Sequence, residues 1–173
     1  MKTFLIIISI FLITLLQFSI LPNFAIFQGV PNLNLAVFLA LYALDFKKEA
    51  LIVSGISALI LSLFLENIFG LSFVLLMLFY LFLNWLKRRY LEEYRPIHLA
   101  LLAIASAFLF GMAELIFSNL KAGKGIPFAL TESVLLSSLY TAVTFLVLYF
   151  VFGSLLYFLE KRNLLFFKRR RML

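Results

Sequence analysis

An all-α bundle of six transmembrane helices is the fold class this sequence predicts. Three observations carry that expectation. The chain of 173 residues is 65% hydrophobic and only 13% charged, far from the ~45–50% and ~25% of soluble domains. Its apolar residues fall into six long runs separated by short polar or basic breaks. Nearly all its basic residues fall in breaks that a six-span path places on one side. A soluble fold this small leaves much of its chain facing water, so a mean hydropathy of +1.12 requires lipid as solvent.

The segments follow in order. The first covers about 3–21 and ends at Pro22-Asn23. It starts like a secretory signal, with Lys2 before an apolar stretch, but that stretch outruns a signal core and no small-x-small site follows, so a retained helix is expected. The second covers about 31–44, with Pro31 suited to a helix's first position. The third covers about 49–68, and the fourth about 71–86, closed by Lys87, Arg88 and Arg89. The fifth covers about 97–120 and the sixth about 133–160. At 1.5 Å per residue a ~30 Å hydrocarbon core needs about 20 residues. The second segment reaches only ~21 Å and is expected to thin the bilayer or to be re-entrant. Residues 1–160 thus form the membrane domain and 161–173 a basic tail.

Charge orients the chain. With six spans and an inner amino terminus, thirteen of the fifteen Lys and Arg lie inside, and only Lys121 and Lys124 lie outside. A five-span path with an outer amino terminus moves Lys2 alone, so charge barely separates the two. Both termini are expected in the cytoplasm on the six-span path. Lys87, Arg88 and Arg89, with Lys168, Arg169, Arg170 and Arg171 of the tail, are the expected contacts with anionic lipid at the inner surface. In that setting the net charge of +7 signals topology, and no nucleic-acid partner is expected.

Chemistry is sparse. With no cysteine there is no disulfide, thiolate nucleophile or thiolate metal site, and the single His98 argues against a histidine-based one. Gly55-Ile56-Ser57-Ala58 is one glycine short of the serine motif of intramembrane proteases. His98, the one available base, sits at a different helical depth from Ser57. No enzyme activity and no cofactor are expected.

Two constellations remain. Small residues recur every fourth position at Ala36 and Ala40, at Ser54, Ala58 and Ser62, and at Ala103, Ala107 and Gly111. Such stripes let helix backbones approach closely. They serve packing inside any bundle, and Ala36, Ala40, Ala103, Ala107 and Gly111 are also the candidate face for docking a partner helix. The second constellation is polar. Glu114 lies within the fifth segment, where insertion of an ionised group costs about 2.5–3.5 kcal/mol, so it should face protein or a wet cavity. Asn32, Glu66, Asn67 and Glu132 fall at helix ends on the same, outer side and complete a candidate outer polar cavity with Glu114. The competing reading is that helix ends are polar by default and Glu114 is one satisfied interior acid.

The first half resembles the bacterial rod shape-determining protein MreD family. The likeness rests on Gln17-x-x-x-Leu21-Pro22 closing the first helix and Gly29-x-Pro31-Asn32-Leu33 opening the second. The basic turn Lys47-Lys48, Gly55 in the third helix, an acidic end near Glu66, Gly70-Leu71 and the basic stop at 87–89 follow in order. It covers about residues 10–90; the second half is similar in hydropathy and segment count. This chain has Asn32 where members commonly carry an acid. The resemblance implies a non-enzymatic scaffold of the cell-elongation machinery that binds an MreC-like single-span protein. Through that partner it would reach the wall synthase and the MreB filament, supporting rod shape and peptidoglycan synthesis. The family is similar in helix arrangement to the substrate-binding S subunits of energy-coupling-factor vitamin transporters. A ligand-binding S subunit is therefore the alternative function, although the only tryptophan, Trp85, falls on the cytoplasmic side.

Overall fold

A computed structural model describes residues 2–20, 30–64, 70–90, 96–122 and 128–161. Among them the structure is helical, with no strand. Helix α1 spans Lys2–Leu15 and runs on into a π-helical turn, Leu16–Ile20. Then come α2 (Leu33–Ala43), α3 (Lys47–Phe64), α4 (Leu71–Tyr90), α5 (Pro96–Ala122) and α6 (Phe128–Lys161). Each predicted segment coincides with one helix. The stretch 132–155 of α6 is the one helix, among the described residues, long and apolar enough by itself to cross a membrane. Shorter apolar stretches lie in α1, α2, α4 and α5. The tail beyond residue 161 lies outside the described residues, and so do the inner-surface candidates Lys168, Arg169, Arg170 and Arg171. Lys87, Arg88 and Arg89 form the last full turn of α4.

Helix α2 is the hub. It is apolar on all sides, which fits a helix enclosed by others, and nine of its eleven residues are buried. It packs mainly on α6 and α3, with α5 closing over it; α1 and α4 pack on α3, and α5 lies along α6. The shared core joins Leu35, Phe38 and Tyr42 of α2 to Leu76 and Leu83 of α4, Phe110 of α5 and Phe145 of α6.

The small-residue stripes are spent inside this core. Ala36, Ala40 and Ala103 are wholly inaccessible and Ala107 nearly so, all within the same cluster. Gly111 is pressed against α6: a Cβ there would stand 2.8 Å from Cγ1 of Val134. This corrects the expectation of a docking face on these residues. Without bulky side chains the backbones of α2, α5 and α6 come together, leaving no room along the stripes for another helix.

The α2–α3 connection is a tight turn. Phe46 N–H donates to Leu41 O at 2.9 Å and Asp45 N–H to Tyr42 O at 3.1 Å, a paired arrangement that ends α2 by reversing Asp45 into the left-handed region (φ 68°). Asp tolerates that region better than most residues and β-branched ones tolerate it worst. Asp45→Val should therefore lower stability by about 1–2 kcal/mol, with Asp45→Gly much milder, in detergent unfolding titrations followed by helicity.

The surface inverts the usual pattern. Phe11, Leu63, Leu78, Leu81, Leu109, Val143, Val147 and Phe150 are all more than half exposed, on five different helices. The interior meanwhile holds Asn34, Ser54, Ser57, Ser62, Ser106, Ser138 and Thr141.

Candidate polar cavity at one end of the bundle

The site begins with a break in helical structure. Residues 30–32 lie outside any helix, with Asn32 extended, so their backbone groups need partners from elsewhere. Gln17, on the π-helical turn, supplies two: its Nε2 donates to Pro31 O at 3.3 Å and its Oε1 accepts from Leu33 N–H at 2.7 Å. From α6, Ser137 Oγ accepts from Val30 N–H at 3.1 Å and Thr141 Oγ1 from Asn32 N–H at 2.8 Å. Asn32 caps α2, its Oδ1 accepting from Leu35 N–H at 3.0 Å. Four polar side chains thus hold three non-helical residues and the start of one helix.

Behind this strut lies a cavity of about 400 Å³. Gln17, Asn32 and Asn34 line it from one side, with Ser137, Ser138 and Thr141 of α6. Ser72 of α4 and Glu114 of α5 close the other side, and Ala58 and Leu61 of α3 complete the wall. Ser72 Oγ donates to Glu114 Oε1 at 2.5 Å, tying the start of α4 to the last third of α5. The lining therefore joins the ends of α1, α3 and α5 to the starts of α2, α4 and α6. Successive helices run in alternate directions.

Helical phase decides which residues reach the cavity. On α5, Ala107, Phe110, Gly111, Glu114 and Leu115 follow the i, i+3, i+4 spacing of one face. On α6 the same spacing selects Val134, Ser137, Ser138 and Thr141. Glu132, two residues before Val134, lies about 200° around that helix, and it is exposed rather than part of the lining. That corrects its expected place beside Glu114. Asn32 and Glu114 do share the cavity, while Glu66 and Asn67 lie outside the described residues.

Ser72, Ser137 and Thr141 were not among the expected cavity residues. The signal for the α6 pair was present: hydroxyls four apart on one face of the helix. What sequence could not supply was the non-helical stretch they hold. Asn34 is buried in the cavity wall, 4% exposed. Its Nδ2 donates to Ser54 O at 3.0 Å, whereas its Oδ1 has no hydrogen-bond partner. The buried hydroxyls of Ser54 and Ser57, on the facing surface of α3, are also unpartnered. Among the described residues no group of three or more His, Asp or Glu is placed to hold a metal ion.

No family model matches the chain, and neither curated proteins nor solved structures include a significant match.

Two stability predictions follow from this geometry. Gln17→Leu strands a partly buried carbonyl and a partly buried N–H, each costing about 1–3 kcal/mol, so it should be among the most destabilising single changes in residues 2–20. Gln17→Glu, which keeps the acceptor for Leu33, should lose less in the same detergent unfolding titration. Separately, Gly111→Ala should destabilise by about 1–3 kcal/mol through overpacking against Val134. Adding Val134→Ala should recover a substantial part of that loss, giving a non-additive double-mutant cycle.

Proposed function

We propose that this chain is a six-span protein of the bacterial cytoplasmic membrane, with both termini in the cytoplasm, acting as a non-enzymatic MreD-like scaffold of the cell-elongation machinery. The observation that carries the reading is the pair of hydrogen bonds from Gln17 to Pro31 and Leu33. Those residues belong to the two motifs on which the MreD resemblance rests, and their contact gives the spacing a physical purpose. Membrane embedding draws support from the exposed apolar surface on several helices, far larger than soluble monomers sustain. It draws further support from the serines and threonine between them. The alternating helix directions fit six crossings. In this orientation the cavity opens towards the outer leaflet, and the basic ends of α3, α4 and α6 meet anionic inner-leaflet lipid.

An MreC-like single-span partner then meets the bundle on its exposed apolar surface, since the alanine stripes are occupied. Its contact passes the scaffold's position on to the wall synthase and the MreB filament. The second reading, a ligand-binding S subunit, is favoured by one observation: a cavity of about 400 Å³ falls within the ~300–1,000 Å³ of small-molecule sites.

Expression in a rod-shaped bacterium depleted of its own MreD separates the readings. The scaffold restores rod shape and co-purifies with MreC. Spherical cells despite normal membrane levels, with no MreC retained, would remove the scaffold reading. Reporter fusions at Lys2 and Leu173 should both report the cytoplasm. Ends on opposite sides would replace six spans with five.

A further inference from the structure

Helices α4 and α5 leave a gap between them. Each packs mainly elsewhere, α4 on α3 and α5 on α6, and the two touch only lightly. An apolar groove of about 220 Å³ lies in that gap, lined by Leu75, Leu78, Phe79 and Phe82 of α4 and by Leu109 and Phe110 of α5. From Leu75 to Phe82 the rise of α4 is about 10 Å, so the groove's mean cross-section is about 20 Å². One hydrocarbon chain fits such a slot. A helix, about 10–12 Å across with its side chains, does not enter it. The α4 wall continues towards the basic end of that helix as an aromatic ladder. The ring centroids of Phe79 and Phe82 stand 5.9 Å apart, and Phe82 stacks on Trp85 at 6.1 Å. Lys87, Arg88 and Arg89 follow, with Arg89 two turns after Phe82 in the same helical register. Residues 87–95 hold four basic and two acidic residues, so the end of the ladder is net positive.

We infer that this groove binds one acyl chain of an anionic phospholipid from the inner leaflet, whose head-group phosphate sits at the basic turn 87–89. The lengths agree. From Arg89 to Leu75 the rise of α4 is about 21 Å, and one leaflet with its head groups is about 20–22 Å thick. A lipid held by its head group at that turn therefore lays its chain along the groove. The apolar slot by itself would accept the chain of any phospholipid. The basic turn supplies the choice, because each Lys or Arg near the surface attracts an anionic head group and gains little from a zwitterionic one. The inference rests on the membrane embedding proposed above. It holds for five spans as for six, since both keep 87–89 inside, and it needs no protein partner.

Trp85, the only tryptophan in the chain, is about half exposed beside the proposed head-group position and serves as the reporter. The full chain is reconstituted in phosphatidylcholine vesicles containing a lipid dibrominated near its head group, either phosphatidylglycerol or phosphatidylcholine. Brominated phosphatidylglycerol should reach half-maximal quenching of Trp85 at a mole fraction lower by about fivefold or more. Replacing the turn with Lys87→Gln, Arg88→Gln and Arg89→Gln together should abolish that preference. Leu78→Phe combined with Leu109→Phe fills the groove from both walls and leaves the charges in place, and it should remove most of the preference. Both leucines are more than half exposed, so this double variant should keep the parent's helicity. Native mass spectrometry should show a monomer retaining one phosphatidylglycerol. Equal quenching by the two lipids would overturn the inference. So would a preference unchanged in the double variant, which marks surface attraction alone, or a lipid-free dimer, which gives the groove to a second copy. Spherical cells in the complementation experiment, with selective quenching intact, would instead remove the scaffold reading and leave this one standing.

Discussion

Three residues of non-helical backbone inside an apolar bundle set the terms for the rest of this structure. Between helices in lipid or packed protein, no water is at hand for a free N–H or C=O, and each one left unsatisfied costs several kcal/mol. Val30, Pro31 and Asn32 break the helical pattern there. The bundle answers with side chains from two distant parts of the chain: Gln17, and the Ser137–Thr141 pair more than a hundred residues later. Those bonds fix the end of α1 and the start of α6 on either side of α2. The order of packing around the hub follows from them.

The inversion of polarity is what the proposed membrane setting would produce. Where lipid surrounds the helices, burying leucine brings no gain over leaving it outside, so association depends on close packing and on hydrogen bonds. Alanine and glycine line the contacts of α2, α5 and α6, and hydroxyls fill the gaps between helices. Several hydroxyls turn back on their own helix, as Ser62 does to Leu59 O and Ser106 to Ala103 O. That local solution leaves them inert. Ser137 and Thr141 differ because they accept from another segment of chain.

Much of the fold was legible in the sequence. The helices appear where the apolar runs lie, because run length and basic stops are local properties read directly from composition. The second segment's shortness was legible too. The fate of the alanine stripes was not: a stripe that packs inside and a stripe that docks a partner have the same spacing, and only the position of α2 at the centre separates them. Glu114 was legible as an acid that needs a polar or protein surrounding, and it lines the cavity. Its contact with Ser72 was not, because that pairing depends on α4 and α5 converging at one end. Glu132 illustrates the opposite error. It stands at the same end of α6 as the cavity residue Val134, but its angular phase around that helix turns it away.

Helix α2 has eleven residues, about 16 Å of rise, while α5 and α6 have 27 and 34. A central helix that stops so far short of its neighbours leaves a gap above its first turn, and the cavity occupies that gap. Its walls are the inner faces of longer helices, and its floor is the capped end of a shorter one. The enclosed volume is thus governed by a length rather than by any particular side chain. One added turn on α2 would close the space, and one removed would deepen it. The same six-helix frame can accommodate a plugged scaffold or an open receptacle with its outer surface unchanged.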